Sequence, residues 1–211
     1  MIYYIRTTLD RVLNDSYSQI PYKLIIDKDY KPIDSFIKAL YEINDSDAVL
    51  LEDDLILCKD FVKKIEEVIF QYPDRIINFF WHPTFYLKTV ECPIIVYNQC
   101  TYYPKGIAKQ LADIMLTVPR NEGYRANMYS LIENVALKKL GIKVIQYRPC
   151  LVQHLDTDTI LFEKTVGTRR SPYFIDYLDE LGIPYKEAKA HRKELINLMK
   201  KHFEELTRQK I

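Results

Sequence analysis

Ala48-Val49-Leu50-Leu51-Glu52-Asp53-Asp54-Leu55 is the stretch on which the reading of this chain turns. Four apolar residues run directly into three acids. A short apolar run of this kind reads as a strand buried on both faces. The carboxylates at its end repel one another unless a cation compensates them. On its N-terminal side, Ile33–Ile43 carries Ile33, Phe36, Ile37, Leu40 and Tyr41 at helical spacing. On its C-terminal side, Lys59–Phe70 carries Phe61, Val62, Ile65, Val68 and Ile69 as an apolar stripe. Further out lie three more apolar runs, Ile2–Ile5, Lys23–Ile26 and Ile76–Phe80. Strands alternating with helices predict an α/β fold with a mainly parallel sheet. Right-handed crossovers then bring the carboxyl ends of the strands to one rim, where open α/β sheets bind ligands.

The second half is more mixed. Pro93–Tyr97 reads as a strand, Gly106–Leu116 as a helix, and Tyr124–Leu140 as a longer helix stopped by Gly141. Lys143–Tyr147 and Cys150–His154 read as short strands. The tail, Tyr185–Gln209, is charged and helical, with Leu195, Leu198, Met199, Phe203 and Leu206 as its stripe. No repeat or linker interrupts the chain. The expectation is one α/β domain over residues 1–184, with a C-terminal helix, 185–211, packed on it.

Composition narrows the class. Of 211 residues, 48% are hydrophobic, and 30 Lys and Arg face 29 Asp and Glu, so intrinsic disorder is excluded. A formal net charge of +1 gives no global field to draw the chain onto nucleic acid, so such binding needs a local patch. Cys58, Cys92, Cys100 and Cys150 show no C-x-x-C pair, which argues against a zinc ribbon or disulfide framework. Met1-Ile2-Tyr3-Tyr4-Ile5-Arg6 reads as a first strand rather than a signal peptide. No window approaches the ~20 apolar residues of a membrane span, and the expectation is a cytoplasmic protein. The 17 tyrosines suit strands and surfaces that stack on flat polar ligands.

Strand alternation carried through the acids puts Glu52 and Asp54 on one face and Asp53 on the other. Two oxygen donors on one side suit Mg²⁺ or Mn²⁺, which complete their shells with water and substrate phosphates. A solvated turn capping the next helix is the plain alternative. His154 closes the run Cys150-Leu151-Val152-Gln153 and can add an imidazole nitrogen beside the carboxylates. Alone, such a histidine is more often a hydrogen-bonded structural residue; its interest lies in pairing with the acids. Motifs of P-loop, dinucleotide-binding and serine-hydrolase sites are missing from the sequence.

From Tyr3 through Phe61 the chain resembles the nucleotide-sugar half of a GT-A-fold glycosyltransferase, particularly the small phage and bacterial members. The resemblance rests on Tyr4-Ile5-Arg6, Arg11, Ile25-Ile26-Asp27-Lys28, Phe36 with Ala39-Leu40, and the acidic triplet standing where that family has its D-x-D motif. Pro149-Cys150-Leu151-Val152-Gln153-His154 is similar to the family's P-x-L-V-Q-H strand, whose histidine often completes a metal site.

The resemblance implies a single GT-A-like, Rossmann-like domain and a set of roles. Asp54 and His154 would hold Mn²⁺ or Mg²⁺. Arg6, Thr7, Arg11, Asp27, Glu52, Asp53 and Arg169 would bind a nucleotide-sugar, first of all a UDP-sugar. The acceptor would be a hydroxyl compound, with hydroxymethylated bases in phage DNA among the candidates. Where inverting members place a catalytic acid, this chain reads Glu122-Gly123-Tyr124-Arg125-Ala126-Asn127. Glu122 and Asn127 are therefore the catalytic candidates, although Asn127 cannot take a proton. Glu133 reads as a helix-dipole or surface acid. Trp81-His82-Pro83 and Asn98–Tyr103 are candidate acceptor-side segments, and Thr165–Ser171 a candidate lid over the nucleotide. The alternatives are a metal-dependent nuclease or phosphoryl transferase, and a binding module with a decayed site.

Overall fold

The computed structural model describes residues 1–8, 10–28, 31–80, 88–95, 97–120, 129–155 and 170–208. Nine strands appear among them: β1 Ile2–Thr7, β2 Tyr22–Ile26, β3 Ala48–Glu52, β4 Leu55–Leu57, β5 Ile76–Asn78, β6 Val90–Cys92, β7 Cys100–Tyr103, β8 Val144–Gln146 and β9 Val152–His154. The α-helices are α1 Pro32–Glu42, α2 Phe61–Gln71, α3 Ile107–Leu116, α4 Tyr129–Leu140, α5 Ile175–Leu181 and α6 Arg192–Arg208. Seven strands form one sheet in the order β2-β1-β3-β7-β5-β8-β6, and β4 and β9 form a separate ribbon. β1 is parallel to β2 and β3, and β5 to β8, while β7 runs antiparallel to both β3 and β5. Five of the seven strands therefore share a direction; β7 and β6 are reversed.

Strand alternation divides the core in two. Tyr3, Ile5, Val49, Leu51 and Tyr102 face one cluster, which takes in α2, α5 and Leu195 of α6. Tyr4, Ala48, Leu50 and Tyr103 face the other, packed by Phe36 and Leu40 of α1, Leu111 of α3 and Leu137 of α4. Both faces of the central strands are apolar, so the sheet needs helices on each side, giving three layers. α4 stops where Gly141 adopts a left-handed conformation and Ile142 N–H reaches back to the Leu137 carbonyl at 2.9 Å.

Several expectations need correction. Pro93–Ile95 does not continue a ladder, and Val96 lies outside the described residues. β6 ends at Cys92, and both backbone groups of Ile95 bond the Asn134 side chain of α4, at 2.7 and 2.8 Å. Proline removes the donor that would have carried the strand on. Cys100–Tyr103 is a fully buried strand, not a segment lining an open acceptor pocket. The tail begins with a 3₁₀ turn, Tyr185–Glu187, and only then becomes α6. No described helix is long and apolar enough to cross a membrane.

Candidate functional site

The ends of three parallel strands lie level. Arg6 pairs in register with Glu52, and Thr7 with Ile26, so residues just beyond β1, β2 and β3 gather on one rim. β7 enters reversed, and the carbonyl of Gln99, the residue just before it, accepts the Glu52 N–H at 2.9 Å.

The acids do not alternate across a strand as expected, because β3 ends at Glu52 and Asp53–Asp54 form a turn into β4. Glu52 Oε1 accepts from Arg6 Nη2 at 2.5 Å, and Arg6 Nη1 donates to the Pro32 carbonyl at 2.9 Å. Asp53 and Asp54 both face Arg11, whose Nη1 lies 2.7 Å from Asp53 Oδ1 and 3.3 Å from Asp54 Oδ2. Thr7 Oγ1 donates to Asp53 Oδ2 at 2.6 Å. Burial pushes the Asp53 carboxyl above its ordinary range despite Thr7 and Arg11. Burial works the same way on Asp54, but there His154 and Arg11 outweigh it and hold the carboxyl well below the usual range.

His154 is brought to the turn by pairing between distant segments. β4 and β9 are antiparallel with Leu55 opposite His154, and Leu155 N–H bonds the Asp54 carbonyl at 2.8 Å. The buried His154 Nε2 ends 3.2 Å from Asp54 Oδ2. Asp54 Oδ1 is buried with no hydrogen-bond partner among the described residues. No group of three or more His, Cys, Asp or Glu side chains there is arranged to hold a metal. Yet Mg²⁺-type ions often take only one or two protein ligands and leave the remainder to water and substrate phosphates. Asp54, with its orphaned oxygen, and His154 have the donor chemistry for that share.

The turn is braced by a segment that gave no sequence signal. The Tyr17 hydroxyl donates to the Glu52 carbonyl and accepts Leu55 N–H at 3.1 Å, spanning the acidic triplet. Asn14 Nδ2 donates to the Leu55 carbonyl at 2.6 Å. Asp27 sits at the end of β2 with Oδ1 accepting Lys31 N–H at 3.2 Å, close to the start of α1.

Glu133 is not a surface acid. α4 buries Ile132, Ala136 and Leu137, and Glu133 lies on that same face, fully enclosed. Its Oε1 accepts from the Tyr103 hydroxyl at 2.7 Å and its Oε2 from Asn98 Nδ2 at 2.5 Å. Thr101 Oγ1 extends the network, donating to Asn98 Oδ1 and accepting from Asn78 Nδ2 at 3.0 Å. Burial pushes the Glu133 carboxyl up to about 7. A sequence signal existed: Glu133 stands three and four residues before Ala136 and Leu137, inside the apolar stripe.

Glu122, Asn127, Arg169 and Trp81-His82-Pro83 lie outside the described residues. Of the candidate lid only Arg170 and Ser171 are described. The Arg170 guanidinium stacks 3.6 Å from the Phe203 ring of α6, and Ser171 bonds Gln153 through its backbone. Tyr102 and Tyr103, in the candidate acceptor-side segment, are buried in the sheet.

No protein-family model matches the chain, and no curated protein sequence matches it. Among solved structures, the crystal structure of A197 from STIV aligns over 65% of this chain and 78% of its own, with 9% identity and a TM-score of 0.38. At that level of similarity nothing about activity transfers.

Proposed function

We propose that this chain is a metal-dependent glycosyltransferase that takes the sugar of a nucleotide-sugar, first of all a UDP-sugar, and passes it to an acceptor hydroxyl. The observation that carries the reading is the meeting of Asp54 and His154, 3.2 Å apart on a strand rim, with Asp54 Oδ1 buried and without a hydrogen-bond partner among the described residues. A divalent ion held by these two residues would supply positive charge against the leaving nucleoside diphosphate.

The surrounding residues supply recognition. Arg6 is fixed by Glu52 and the Pro32 carbonyl and lies 5.6 Å over the Phe36 ring, a rigid edge for the nucleoside. Asp27 and Glu52 present carboxylates at the ends of β2 and β3, the strands flanking β1, suited to accept from ribose hydroxyls or a base N–H. Asp53, held by Thr7, orients Arg11 toward the place of the diphosphate. Glu122 and Asn127 stay the candidates for handling the acceptor hydroxyl.

The test is incubation with Mn²⁺ and a panel of nucleotide-sugars, alone and with acceptors that include DNA carrying hydroxymethyl-pyrimidines. Release of nucleoside diphosphate, lost in Asp54→Ala, is the expected result. Nicked DNA without sugar release would favour the nuclease, and inertness towards every donor would favour the binding module.

A further inference from the structure

The acidic turn already holds a cation of its own. Arg11 reaches both Asp53 and Asp54 through one nitrogen, and on Asp54 it approaches Oδ2, the oxygen that also faces His154. Arg6 and Arg11 are held differently. Arg6 is bonded at both terminal nitrogens, one of them to backbone, and its side chain is 10% exposed. Arg11 extends from the segment after β1, is 21% exposed, and among the described residues its guanidinium is bonded only to the two acids. Burial opposes its charge, and the acids more than restore it. One guanidinium thus serves two buried carboxylates, and it stands where positive charge would be added if a divalent ion entered.

We infer that Arg11 is a resident counter-ion that competes with the divalent cation for Asp54 and transfers to the diphosphate when metal and nucleotide bind together. The inference rests on the glycosyltransferase reading and deepens it, making metal and nucleotide mutually dependent ligands. The physical reason is Coulombic. A doubly charged ion on Asp54 and a guanidinium on the same carboxylate repel strongly in a site mostly shielded from water. Asp53 keeps one hold on Arg11, so the side chain can pivot rather than depart, and phosphate oxygens match its planar donor fork. Metal alone is therefore bound weakly. Metal with a nucleoside diphosphate is bound well, because the displaced cation gains a new partner.

The experiment measures Mn²⁺ affinity from the electron paramagnetic resonance signal of free Mn²⁺, with and without UDP, at fixed ionic strength. Arg11→Gln removes the charge while keeping a polar side chain at the position. It should bind Mn²⁺ alone about tenfold or more tighter than wild type, and UDP should enhance that binding less. Arg11→Lys should retain the weak wild-type affinity. Mn²⁺ binding by Arg11→Gln that is no tighter than wild type overturns the inference. If Arg11→Gln does not fold, side-chain ¹⁵N spectra of the wild-type protein decide. The Arg11 Nε–H signal should move on adding Mg²⁺ and UDP together, and a signal unmoved in the saturated complex overturns it. Wild-type protein that binds neither Mn²⁺ nor UDP would instead remove the glycosyltransferase reading itself.

Discussion

Replacing Glu133 by Gln should change how stability depends on pH. The carboxyl is fully buried, bonded to Tyr103 and Asn98, and pushed up to about 7 from an ordinary value of 4.5. A carboxyl whose folded-state pKa is raised contributes stability that is present below the unfolded value and lost as pH climbs through the folded one. The loss falls between pH 4.5 and about 7. At ~1.4 kcal/mol per pH unit this interval is worth about 3 kcal/mol. Gln keeps the shape and has no proton to lose, and the Tyr103 hydroxyl can rotate to accept from its amide. Relative to wild type, Glu133→Gln should therefore gain about 3 kcal/mol on going from pH 4.5 to pH 8. Urea unfolding of both proteins across that range measures the difference directly. Parallel stability profiles would refute the reasoning, since they would mean that Glu133 does not change its proton affinity on folding.

Tyr17→Phe should destabilise the acidic turn by about 2 kcal/mol, because the Glu52 carbonyl and Leu55 N–H both lose their partner, and denaturant melts would show it. Gly141→Ala should cost about 1 kcal/mol by the same assay. Its φ of +66° is unfavourable for a side chain, although nothing lies within 4 Å of the added carbon.

The parts of the fold readable from sequence are those governed by local periodicity. β1, β2, β3 and the helices α1, α2 and α3 lie within a residue or two of where their apolar spacing puts them. β7 is not legible in the sequence because Cys100-Thr101-Tyr102-Tyr103 has no simple alternation, and its burial comes from neighbours β3 and β5 on both sides. Pro93–Tyr97 has the propensity of a strand, but β-propensity says nothing of whether a partner strand is present. In the site, Glu52–Asp54 and His154 stood out as charged or polar ends of apolar runs. What periodicity could not show was the turn after Glu52, which sends Asp53 and Asp54 to the same arginine. Tyr17 was invisible for a similar reason, since its contact joins segments 35 and 38 residues apart. The charge of Glu133 points to the surface, whereas its place in the apolar stripe of α4 points to the core, where it lies.

The central claim is that Asp54 and His154 hold a divalent ion beside a nucleotide diphosphate. Crystals grown with Mn²⁺ and UDP, with diffraction recorded at the manganese absorption edge, address it most directly. The account predicts one anomalous peak at ~2 Å from both an Asp54 carboxylate oxygen and a His154 ring nitrogen, with the diphosphate completing its shell. UDP bound on the rim with no manganese at Asp54 and His154, or manganese bound elsewhere, would contradict it.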